Sequence, residues 1–266
     1  MELQANTTPE AVPRRRTRKR FIVLLILLGL AGFFCYWVVS ESLPALRRIW
    51  CNENVRTINL AFHIYHEQHG SFPPAYTVDE NGQPLHSWRV LILPFIFEDG
   101  EGLELYDKIR REEPWDSEYN QQFHGIQIPA YQCPAKRATF LSKIRNVFVK
   151  NRDLLHMANC DYSVVIGEDT VFPGSTTVTL DDITDRKSNT ILVVERMIPV
   201  NWMDPNSEFR FDIAREGINR NLHGIGSEHS DKRTGGAIIG FADASWRFLP
   251  DTTENIESLL TKSAGD

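Results

Sequence analysis

The reading of this chain turns on residues 14–70, RRRTRKR-FIVLLILLGLAGFFCYWVV-SESLPALRRIW-CNENVRTINLAFHIYHEQHG. The run Phe21–Val39 holds nineteen residues without a charge. At about 1.5 Å per helical residue it can cross a hydrocarbon core about 30 Å thick. Six basic residues (Arg14, Arg15, Arg16, Arg18, Lys19, Arg20) precede it. By the positive-inside rule they place the N-terminus in the cytoplasm and everything after Val39 across the membrane. A cleaved signal peptide also begins with basic residues. Its apolar core is usually only about 7–15 residues long, however, and Phe33-Phe34-Cys35-Tyr36-Trp37 lacks the small residues of a cleavage site. The sequence thus divides into a basic tail (1–20), a transmembrane helix (21–39) and an exported domain (40–266).

Ser40–Pro44 interrupts the pattern, and Pro44 can open a new helix or kink a continuous one. Beyond it Cys51, Val55, Ile58, Phe62 and Tyr65 recur at steps of three and four, one apolar stripe of a helix lying on a core. Gly70 fits a C-terminal cap, and Pro73-Pro74 forbid continuation.

Roughly 225 residues outside the membrane suffice for one domain with its own core. The net charge of −6 is uneven: residues 1–20 carry six basic and two acidic residues, leaving 23 basic against 33 acidic in the remainder. An acidic exported domain argues against a nucleic-acid partner. The tail needs only the anionic face of the lipid bilayer. Of four cysteines, Cys35 lies in the apolar run. Cys51, Cys133 and Cys160 would meet an oxidising compartment, where one bridge and one free thiol is the simplest arrangement. Paired cysteines at short zinc-site spacing do not occur.

Strand-like runs follow. Ala75–Val78 and Leu85–Leu93 flank Asp79-Glu80-Asn81-Gly82, a hairpin signal. Leu103–Arg111 and Asp116–Phe123 read as short helices, Gln127–Cys133 as a strand, and the basic segment 135–158 as an inserted loop. Asp161–Gly167, Thr190–Arg196, Ala237–Phe241 and Ser245–Leu249 have strand length and composition, and Thr252–Thr261 reads as a terminal helix. Helix first and strands afterward predicts an α+β fold, its mostly antiparallel β-sheet packed on the N-terminal amphipathic helix.

Several stretches together resemble a planctomycete-type family of pseudopilin-like proteins of unknown function, marked by a C-terminal His, nine residues, then Asp-Gly. They are Cys51–Ile58 with Leu60–His66 and Gly70–Ala75, His86–Leu91, Leu105–Ile109, Glu113–Asp116, Tyr131–Pro134, Ile183–Glu195 and Phe241–Asp243. The resemblance implies a pilin-like helix feeding an antiparallel sheet. Cys51 and Cys133 both lie in resembling stretches, which makes a bridge between them the preferred pairing. The signature positions are His229 and Asp243, with a longer gap than in the family and Ala244 in place of Gly. A Cβ at that position resists φ > 0, so a different hairpin is expected between Phe241 and Trp246. Relatives also carry a prepilin start, which Arg20 and Leu25 break here, so processing at Phe21 is not expected.

Candidate chemistry is sparse. His63, His66 and His69 sit at metal-ligating steps of three, but the outer two lie about 120° apart around a helix at ~100° per residue, which favours helix-surface histidines. The acidic run Asp181-Asp182-Ile183-Thr184-Asp185 offers oxygens for calcium but lacks a calcium-loop spacing. No Gly-x-Ser-x-Gly or phosphate loop occurs, and Trp88, Trp115 and Trp202 read as rim-of-core residues ahead of ligand-stacking ones. The expectation is a single-pass inner-membrane protein with a periplasmic, pilin-like domain, no cofactor, no catalytic or metal-binding residues, and a non-enzymatic binding or structural role among envelope or secretion-machinery proteins. The alternatives are a processed pseudopilin subunit of a type II secretion or type IV pilus-like assembly, and a metal-dependent envelope enzyme using His63, His66 or His229.

Overall fold

A computed structural model describes residues 14–97, 100–134, 160–229, 234–263 and 265; the segment expected as an inserted loop, 135–158, lies outside them. The chain divides into two compact units, Met1–Leu46 and Arg47–Asp266. One helix, α1 (Arg14–His69), contributes to both, and no break separates its turns at Ser40–Pro44. Within the first unit, Arg20–Val39 has a mean hydropathy of 2.6 and buries none of its residues. In the second unit the predicted stripe turns inward: Cys51, Val55, Ile58 and Phe62 are fully buried. Gly70, at φ +77°, ends the helix with its N–H on the His66 carbonyl.

The architecture is α+β. β1 (Tyr76–Val78) and β2 (Pro84–Ser87) form the antiparallel hairpin announced by Asn81-Gly82. The strand expected to run to Leu93 stops at Ser87. Its hydroxyl accepts the Arg89 N–H and caps α2 (Trp88–Leu91), and Pro94 in the first turn then favours α3 (Leu93–Ile96). α4 (Glu101–Lys108) follows. Asp116–Phe123 supplies only a 3-10 turn at Asn120–Phe123. The expected strand Gln127–Cys133 is instead a 3-10 turn over Pro129–Tyr131, because Pro129 has no N–H for a ladder.

The central sheet has four strands in the order β3-β5-β7-β8, all antiparallel: β3 (Cys160–Ser163), β5 (Ile191–Val200), β7 (Gly236–Phe241) and β8 (Trp246–Pro250). β4 (Val165–Ile166) pairs in parallel with β6 (Phe209–Arg210), which leads into α5 (Phe211–Ala214). The predicted terminal helix shrinks to α6 (Ile256–Leu260).

α1 lies over the β7–β8 turn. Asn59 Nδ2 donates to the carbonyls of Phe241 and Ser245 at 3.4 and 3.0 Å. A Cβ on Gly240 would lie 2.6 Å from the Asn59 amide, so that close approach requires glycine. The expectation of a different hairpin here is not met. Ala244 adopts φ +66° and closes the turn through its N–H on Phe241 O, with Phe241 N–H on Ser245 O. It takes the conformation a glycine would, held by Asp243 Oδ1 accepting the Ser245 N–H.

Candidate functional site

The buried half of α1 carries Cys51 to the core, where the 3-10 turn at Pro129–Tyr131 delivers Cys133. The two sulfurs are bonded, with their Cα atoms 5.2 Å apart. The approach is fixed by polar contacts on both sides: Asn54 Nδ2 donates to Gln132 O at 2.7 Å, and Asp161 Oδ2 accepts the Cys133 N–H at 2.7 Å.

Against this bridge stand two ionisable side chains, one from the sheet and one from the segment before β7. Glu195 belongs to β5 and is fully buried. One of its oxygens accepts the Ile238 N–H of β7 at 2.8 Å, taking the place of a ladder carbonyl. The other lies 3.1 Å from His229 Nε2. His229 Nε2 is also 3.3 Å from Cys133 Sγ. His229 is held by a closed loop: its N–H reaches Ser227 Oγ, that hydroxyl donates to Gly236 O, and the Gly236 N–H returns to His229 O. Tyr162 lies opposite Glu195 in the β3–β5 register; burial, and then the charge of Glu195, raise its phenol well above the usual range.

The donor atoms of Cys51, Cys133, Glu195 and His229 all lie within 4.8 Å of one another. The sulfurs are bonded to each other here; as two thiolates, with an imidazole and a carboxylate, they would make a set that holds a divalent ion such as zinc. Of the two positions that the resemblance marked, His229 enters this cluster and Asp243 serves the β7–β8 turn. Glu195 escaped sequence reading as a site residue because nothing in a β-branched strand marks one carboxylate as convergent with cysteines 62 and 144 residues away.

The other sequence candidates go separate ways. His66 Nε2 accepts the Leu180 N–H at 3.1 Å, while His69 stacks on Tyr65. His63 packs edge-on against Phe72, and burial lowers its basicity. The three do not converge. Asp182 accepts the Thr179 N–H and hydroxyl, which hold its carboxyl below the usual range, and Asp185 accepts the Gly265 N–H. Trp88 and Trp202 are fully buried, and Trp115 stacks on His124. Cys160 is a free thiol in the core, pushed up by burial and receiving the Arg89 Nε–H at 3.0 Å. Such a neutral, buried thiol is inert.

A family model described as "Protein of unknown function (DUF1559)" matches residues 44–213. The chain belongs to this family. No curated protein and no solved structure matches it. The span shared with the DUF1559 model covers Cys51, Cys133 and Glu195, and His229 lies beyond it.

Proposed function

We propose that this DUF1559 protein is a single-pass membrane protein of the cell envelope, with its basic tail in the cytoplasm and its α+β domain on the periplasmic side of the inner membrane. The observation that carries this reading is Arg20–Val39: twenty residues of helix whose apolar side chains are all exposed. Left in water, such a surface is an aggregation liability; in lipid it is solvated. Tyr36 and Trp37 at its far end suit the headgroup layer, where amphipathic rings collect. Six basic residues before the segment, against Arg47 and Arg48 in the ten that follow it, set the orientation. The Cys51–Cys133 bridge agrees with an oxidising compartment.

The role within the envelope is non-enzymatic, a binding or structural one with protein partners. Its support is one buried network whose members engage each other: Arg89 pairs with Glu208 and donates to Tyr162 O, while Ser163 Oγ and Val164 N occupy the other Glu208 oxygen. A second reading, a pilin-like assembly subunit, is favoured by one feature: the apolar segment and the core-packed stripe belong to the same helix, α1. The mature N-terminus separates the two, through intact mass and N-terminal peptides of the membrane fraction. Retention of Arg14–Arg20 supports the permanent anchor. A chain that begins at Phe21 with a methylated amine establishes the subunit. A chain cut after Trp37 and recovered in the soluble fraction overturns both.

A further inference from the structure

We propose that Cys51, Cys133, Glu195 and His229 form a zinc site in the reduced protein, so that one buried position is closed either by a disulfide or by a metal ion. Four donors from four separate segments converge within 4.8 Å. Zinc bonded at about 2.0 Å to nitrogen or oxygen and about 2.3 Å to sulfur sets its ligand atoms roughly 3.3–3.8 Å apart in a tetrahedron. The His229–Glu195 and His229–Cys133 separations, 3.1 and 3.3 Å, already approach those edges. The sulfurs, about 2 Å apart in any disulfide, must part on reduction, and every other pair of donors already lies within 4.8 Å.

The donor set also selects among metals. Two thiolates disfavour magnesium and calcium, whereas the imidazole and carboxylate favour zinc over copper(I). Glu195 is oriented by the Ile238 N–H, a support of the kind that fixes metal ligands, and the loop through Ser227 holds the His229 backbone in place. Four protein donors leave no open position, which makes the site structural rather than catalytic. His229, 5% exposed while the other three are fully buried, marks the side from which an ion enters.

The chemistry balances. A dithiol reductant transfers two electrons and two protons to the Cys51–Cys133 bond, breaking it to two thiols and becoming a disulfide itself. Zinc then displaces both thiol protons. In reverse, a disulfide oxidant takes two electrons from the two thiolates, the sulfurs rejoin and the ion leaves.

The test uses the full chain in detergent, on a Cys35→Ser/Cys160→Ser background so that only two thiols remain. Zinc binding is measured by competition with a chromophoric chelator, anaerobically, before and after reduction. The expected result is one zinc per reduced chain and none on the oxidised chain, with affinity falling at least about tenfold in Glu195→Gln and His229→Gln. Cobalt(II) added to the reduced wild-type chain needs no variant: sulfur-to-cobalt charge-transfer bands with tetrahedral d–d intensity are expected. A reduced, folded chain that takes up no zinc overturns the proposal. So does zinc uptake that survives Cys51→Ser/Cys133→Ser, or a reduced chain that stays unfolded at saturating zinc.

Discussion

Ala244→Gly should make this protein more stable. Ala244 sits at φ +66° and is exposed, so its methyl group fills no part of the core. An L-residue in the left-handed region suffers a clash between Cβ and the backbone worth about 1–2 kcal/mol, which glycine lacks. Against that gain stands the larger backbone entropy glycine loses on folding, about 0.5–1 kcal/mol. The turn's hydrogen bonds run through backbone groups and Asp243, none of which the substitution touches. The net expectation is a stabilisation of about 0.5–1 kcal/mol, which for a domain of this size raises Tm by roughly 1–4 °C. Urea denaturation of the oxidised full chain in detergent, followed by tryptophan fluorescence, gives the difference directly, provided that the slope is unchanged. Ala244→Val is the counterpart, since a β-branched residue fits the left-handed region worse, and it should lose about 1 kcal/mol or more. A lower midpoint for Ala244→Gly, or equal midpoints for both variants, would refute the assignment of strain to this turn.

Other substitutions probe the packing beneath it. Gly240→Ala drives a methyl group into the Asn59 amide and should cost about 1–3 kcal/mol in the same assay; Asn59→Ala on that background should recover part of the loss. Arg89→Met leaves Glu208 buried without its cation, a loss of about 3–5 kcal/mol, whereas Arg89→Met with Glu208→Leu should be much milder. His86 adds a pH dependence. Burial lowers its basicity: Nε2–H donates to Glu113 O, and a second proton would occupy Nδ1, which has no partner. The unfolded chain therefore binds that proton more readily than the folded one. The contribution is fully present above about pH 6.5 and is lost as the pH falls through the folded value below it. His86→Gln should flatten the decline in urea midpoint from pH 7 to pH 5; an unchanged slope would remove His86 as its source.

Much of the fold is legible in the sequence because its determinants are local or periodic. The α1 stripe at Cys51, Val55, Ile58 and Phe62 and the runs at Ile191, Gly236 and Trp246 announce their own periods. The misreadings fall where one residue overrides a run. Leu85–Leu93 is apolar enough for a strand, but the Ser87 hydroxyl ends it by capping a helix. Gln127–Cys133 has strand composition, but Pro129 turns it into a 3-10 turn. Ala244 shows the converse: tertiary context, with Asn59 gripping both ends of the turn, imposes a backbone conformation that residue preference argues against. The candidate site is legible only in part. The cysteine pair and His229 were marked by family resemblance, whereas Glu195 becomes significant only once β5, β7 and α1 are assembled around it.

The composition of that cluster bears on why it is built as it is. If the Cys51–Cys133 bridge served stability alone, closing a loop between residues 82 apart would contribute about 4.5 kcal/mol by restricting the unfolded chain. Apolar neighbours would then be the best surroundings. Instead the bridge is flanked by a fully buried carboxylate and an imidazole, groups whose removal from water is costly and whose pairing seldom recovers more than that cost. Neither is needed to position the sulfurs, since Asn54 and Asp161 already fix the Cys133 segment. Glu195 does serve the oxidised form by accepting the Ile238 N–H, but that bond uses one of its oxygens and leaves the other on His229. The second Glu195 oxygen and the imidazole gain a further reason in a second state, one in which the sulfurs are apart and anionic and a dication requires two further ligands. Glu195 and His229 are already in place for that state, which is why the two closures can exchange without rebuilding the sheet around them.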